Sequence, residues 1–191
     1  MSRRGIIGVS DHGGWAVLVT ADGHGTLLDR RRVELVDEGL PKIPHHSEAQ
    51  GLPLDQAVRL VERVRASAER HATIVLDVVA MALPESILGI ALRQCPELPP
   101  TISERITNYR AQNVADWVMY RKALAAAAEA RGWPVHWFDP RKVQDMASKT
   151  LGVKNLDAHF AQLRRSFGPP WGQDHKMAMA AAIAAMNACS M

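Results

Sequence analysis

Three short stretches carry side chains able to do chemistry: Ser10-Asp11-His12 after an apolar run, Asp77 inside a β-branched run, and Asp174-His175 ahead of an alanine-rich segment. A fourth, His45-His46 with Glu48, sits among Gly39, Pro41, Pro44, Gly51 and Pro53. Carboxylates that converge from distant segments suit a hard divalent cation, which takes oxygen ligands. Imidazoles beside a carboxylate suit a transition metal, which needs three or four ligands meeting in space. Each stretch also has a purely structural reading. Asp11 before Gly13-Gly14 is common turn chemistry, and Asp174 at a helix start is favoured by the helix dipole. Asp77, if buried in a strand, needs only a partner, whether a cation, an arginine or a backbone amide. The loop histidines read equally as solvated side chains, and His136 as a hydrogen-bonded core residue.

The elements that must position these groups follow from periodicity. Ile6 to Ser10, Trp15 to Thr20 and Thr26 to Glu34 read as three strands in an antiparallel meander, turning at Gly13-Gly14 and at Ala21 to Gly25. The 18 residues from Val36 to Pro53 form a long loop of the kind often used for function. Ala57, Val58, Val61, Val64 and Ala68 recur at helical spacing, predicting a helix from Leu54 to about Arg70. Thr73 to Val79 reads as a buried parallel strand, and Pro84 as the opening of a short helix. Thr101-Ile102-Ser103-Glu104 matches a capping box leading into helix as far as about Arg131, with Gly132 as its stop. Val135 to Phe138 is the last strand, and Asp139-Pro140 suits a helix start. Helices over Pro140 to Leu151, Asp157 to Phe167 and Gly172 to Cys189 complete the order.

A chain of 191 residues, 47% hydrophobic, can bury a sizeable core, and its length suits one domain over residues 1–191. Met177 to Met186 is about half the roughly 20 residues that a membrane-spanning helix needs, so no membrane partner is expected. The basic start Met1-Ser2-Arg3-Arg4 leads to an apolar run too short for a signal peptide, and Cys95 and Cys189 fit no disulfide framework. Both point to a cytoplasmic protein with reduced thiols. A net charge of +3 permits nucleic acid as a partner. Arg30-Arg31-Arg32 alternate faces on a strand and read as charge guarding a sheet edge.

Three strands followed by helix, strand, helix, strand, helix is an α/β pattern with a mixed sheet, and right-handed crossovers give it the order 3-2-1-4-5. With Ile6-Ile7-Gly8-Val9-Ser10, Ile74-Val75-Leu76-Asp77, and Asp174 followed by Ala178 to Ala185, this order resembles the ribonuclease H-like superfamily, and within it the Holliday-junction resolvase type. The glycines before Trp15 are also similar to the opening of a further branch of predicted ribonuclease H-like nucleases.

The resemblance implies two Mg2+ or Mn2+ ions on clustered carboxylates, activating water against a phosphodiester. Asp11, Asp77 and Asp174 would be the metal ligands, Ser10 a secondary ligand, and His175 or His46 a proton carrier. Two positions depart from the family pattern. Ser10 stands where the first metal-binding aspartate belongs, and Met177 where a second acid should follow Asp174 at an i,i+3 step.

Two functions follow as expectations: a metal-dependent nuclease or phosphodiesterase acting on nucleic acid, or a ribonuclease H-like domain without a metal site that binds or scaffolds. A third is a hydrolase using His45, His46 and Glu48 with a transition metal. The alanine-rich faces of Leu124 to Ala130 and Met177 to Ala188 allow close helix packing within one chain or in a homodimer.

Overall fold

The computed structural model describes residues 4–84 and 86–187; Met1 to Arg3, Cys189 and the expected end of the last helix lie outside the described residues. Strands β1 (Gly5–His12), β2 (Trp15–Asp22) and β3 (Leu27–Glu34) form the meander. The loop after β3 leads into helix α1 (Leu54–Ala82), then strand β4 (Ile87–Arg93), helices α2 (Ile102–Thr107) and α3 (Tyr109–Glu129), and strand β5 (Val135–Phe138). Helices α4 (Val143–Leu151), α5 (Asp157–Phe167) and α6 (Gln173–Met186) follow. The sheet has the order β3-β2-β1-β4-β5, with β1 antiparallel to β2 and parallel to β4.

The order matches expectation, but the fourth strand does not come from the expected residues. Thr73 to Val79 is helical, the second half of a 29-residue α1. Ala57, Val61, Val64, Ala68, Ala72, Leu76 and Val79 continue one buried stripe at steps of three and four, a period only a helix turns to a single face. Ile74, Val78 and Met81 lie on its exposed side, and they made the run look continuously apolar. Leu83, just before Pro84, leaves the helical region with φ −130° and ψ 63°, as residues before proline do. No helix opens at Pro84. The chain enters β4 instead, and β4 fills the slot beside β1.

Two layers of helix cover the sheet. The core of one face unites Ile7 and Val9 of β1 with α1 and with Tyr120 and Leu124 of α3. On the other, Ile6, Val17 and Val19 pack against α4, α5 and the alanine-rich α6. At Gly8 strand and helix touch: a Cβ there would lie 1.8 Å from the Ala178 carbonyl oxygen. The capping box forms as expected, with the Glu104 amide donating to Thr101 Oγ1 at 3.2 Å and the Thr101 amide to Glu104 Oε2 at 3.0 Å. Helix α4 starts three residues later than expected, because Asp139 Oδ1 accepts from the Arg141 amide at 2.9 Å in a turn that precedes it.

Candidate functional site

Asp11 is neither a turn residue nor part of a carboxylate cluster. It pairs with Ala16 inside the β1–β2 ladder, and only Gly13 and Gly14 form the turn, Gly14 with a left-handed φ of 78°. Pleating sends successive side chains of a strand to opposite faces. Ile7 and Val9 face α1 and α3, and so does Asp11; Ile6, Gly8 and Ser10 face α6. Asp11 Oδ2 accepts from Arg121 Nε of α3 at 2.7 Å, both residues being buried. Its Oδ1 is buried without a partner among the described residues.

Across the sheet, Asp174 at the first turn of α6 receives Ser10 Oγ at 2.9 Å and lies 2.8 Å from His12 Nε2. His12 stacks on Trp15 with ring centroids 4.0 Å apart, and the Arg32 guanidinium lies 4.3 Å from the same indole centroid. Burial works to raise the Asp174 carboxyl, but hydrogen bonds from His12 and Ser10 hold it below its ordinary value. A depressed carboxyl stabilises the fold above the ordinary carboxylate range and loses that contribution as pH falls through its folded value. Ser10→Ala will therefore move the Asp174 carboxyl upward, making its contribution to stability smaller and completing the acid loss of that contribution at higher pH. A 13C NMR titration of the carboxyl measures the first effect; an unmoved titration would rule out Ser10 as a determinant.

Asp77 sits on α1, exposed, where Arg131 holds it by an ion pair. The expectation that it ends a strand beside Asp11 is corrected by the helical stripe. His175 is buried beside Trp171, its Nδ1 accepting from the Gly172 amide at 3.4 Å. Burial and the nearby Arg30 push its imidazole below the ordinary range, with Asp174 pulling the other way. Arg30 does more than guard an edge: its guanidinium donates to the carbonyls of Phe167, Gly168 and Pro170 before α6.

In the loop, His45 is buried while His46 and Glu48 are exposed, so the three do not form a ligand set. The His45 and His46 amides are held by Asp116, a fully buried residue of α3 that sequence reading passed over. Its signal was an acid between Ala115 and Tyr120 on a helix whose surrounding positions are apolar.

The carboxylates that the resemblance assigned to Mg2+ or Mn2+ thus lie on two faces of the sheet and on a helix. Among the described residues no three His, Cys, Asp or Glu side chains gather to hold a metal. Asp11 offers one free buried oxygen, against the six or more that hard cations collect. This donor set does not fit a two-metal centre.

What the sheet's carboxyl edge does assemble is cationic. Arg93 at the end of β4, Arg121 of α3 and Arg141 after β5 line a notch of about 450 Å³ together with Gln94, Cys95 and Asp139. Arg93 Nε is buried with no partner among the described residues.

No protein-family model and no curated protein matches the sequence. Among solved structures, Thermus thermophilus RuvC in complex with a Holliday junction substrate is similar at TM-score 0.51 and 14% identity, over 98% of this chain and 96% of that one. A second Thermus thermophilus RuvC structure gives TM-score 0.47 and 16% identity over 97% and 96% of the chains. An inorganic polyphosphate/ATP-glucomannokinase from Arthrobacter sp. strain KM gives 0.39 and 16%, over 79% of this chain and 50% of that one. The sheet order and the first of these similarities give the chain a ribonuclease H-like fold.

Proposed function

We propose that this chain binds nucleic acid at the carboxyl edge of its sheet and does so without a two-metal carboxylate centre. The observation that carries this reading is the three-arginine notch, in which Arg121 pairs with Asp11 and Arg141 with Asp139, while the buried Nε–H of Arg93 has no acceptor among the described residues. Guanidinium groups donate to phosphate oxygens in a planar fork, so a phosphodiester in the notch would give Arg93 the bond it lacks. The net charge of +3 is of the right sign, and the similar RuvC structure holds a Holliday junction substrate.

The test is fluorescence anisotropy with labelled four-way, duplex and single-stranded DNA in EDTA. Binding is expected without metal, with log K falling linearly with log salt. Arg93→Ala should weaken binding across sequences and reduce the salt slope by about 1. Absence of binding to any of the three substrates would overturn the reading. So would saturable Mg2+ or Mn2+ binding by calorimetry accompanied by cleavage that disappears in Asp174→Asn, which would restore the nuclease.

A further inference from the structure

Asp116 is fully buried, and a buried carboxylate persists only where donors satisfy it. Here the His45 amide donates to Oδ1 and the His46 amide to Oδ2, both at 3.1 Å, while His45 Nδ1 lies 2.7 Å from Oδ1. Gln50 Nε2 fixes the same loop through the carbonyls of His45 at 2.6 Å and Ile106 at 3.2 Å. A carboxylate only accepts, so Nδ1 carries a hydrogen and in the neutral ring Nε2 is left as an acceptor. That nitrogen is buried and has no partner among the described residues.

His45 lines a cleft of about 630 Å³ between α1, α2 and α3, within the range of small-molecule sites. Val61, Ile102, Val118 and Met119 supply apolar walls. Of the charged groups that line it, Arg65 pairs with Glu69 at 3.8 Å, Arg105 donates to the carbonyls of Pro99 and Pro100, and Glu97 and Glu129 add two carboxylates. Lys122 has no carboxylate partner among the ion pairs of the described residues; its Nζ lies 5.4 Å from the Trp137 ring centroid. Asp116, which holds His45, and Lys122 are six residues apart on α3, about 9 Å along the axis.

From this arrangement we propose a ligand site for a small aromatic anion: a hydroxyl or N–H bonds His45 Nε2, a flat apolar body fills the cleft, and an anionic group meets Lys122. The cleft adjoins the arginine notch, sharing Cys95 and Pro96 with it, but neither His45 nor Lys122 lines that notch, and the proposal does not depend on nucleic-acid binding.

Fluorescence titration with 6-hydroxynaphthalene-2-sulfonate and with naphthalene-2-sulfonate, which lacks the hydroxyl, tests it on the wild-type protein. Saturable binding of both is expected, with the hydroxylated probe about tenfold tighter, the worth of one hydrogen bond to a buried acceptor. Lys122→Ala should weaken both probes by a similar factor. In His45→Phe, which keeps a flat ring but has no acceptor, checked for folding by circular dichroism, the preference for the hydroxyl should vanish. Equal affinity of the two probes for wild type, non-saturable binding, or affinity unchanged in Lys122→Ala would each overturn the proposal.

Discussion

Arg121→Met will lower the stability of the protein by about 3–5 kcal/mol, the cost of leaving a buried charge without its partner. The Asp11 side chain is 1% exposed and Arg121 Nε is its only hydrogen-bond donor among the described residues. Removing the guanidinium strands the carboxylate between the sheet and α3. The pair itself is another matter, since two ions taken out of water gain little net stability from each other. Asp11→Leu combined with Arg121→Met should therefore recover most of the loss. Urea unfolding of the wild type, both single variants and the double variant measures this as a coupling energy. A single variant within about 1 kcal/mol of wild type would mean that water reaches Asp11 and that the pair is not closed.

Gly8→Ala should be nearly as damaging for a reason that involves no charge. The added Cβ would meet backbone, the Ala178 oxygen at 1.8 Å and the Ala182 nitrogen at 2.6 Å, and backbone cannot rotate away as a side chain can. Helix α6 must lift off β1, with a loss of about 3 kcal/mol or more, at the upper end of overpacking costs. Gly51→Ala, where a Cβ meets nothing within 4 Å, is the matched control and should stay close to wild type in the same unfolding measurement.

Gly8 and α6 illustrate what could be read from the sequence: an alanine-rich helix signals close approach, and the glycine opposite it completes the fit. The order of the sheet was legible for a similar reason, because each crossover carries a helix between two strands wherever the strand begins. Strand β4 itself was hidden. Its sequence contains Gly89, which packs against the Pro134 carbonyl at 2.7 Å from where a Cβ would be, and glycine weakens a strand pattern. The β-branched stretch of α1 was the louder signal, though its Ala68, Ala72 and Leu76 spacing marked it as helix.

The site was less legible than the fold. Pleating already put Ser10 and Asp11 on opposite faces, so Asp11 and Asp174 could meet only if the strand bulged, and it runs in regular register with β2 instead. Which arginine would take Asp11 was not readable, since the partners are 110 residues apart in the chain. The His45–Asp116 contact joins a loop to a helix 71 residues away and was hidden in the same way.

The central position of β1 also bears on how the chain folds. β1 and β2 are neighbours in sequence and can pair early, but α1 lies between them and β4 in the chain, and α6 is the last element described. Strand β1 is thus made well before α6, the helix that covers it. During synthesis the meander waits with Ile6, Val17 and Val19 uncovered until α6 arrives, and long-range closures of this kind slow folding. Shortening α6 should then show itself first as newly made chain that aggregates, with the finished protein's ligand sites affected only as a consequence.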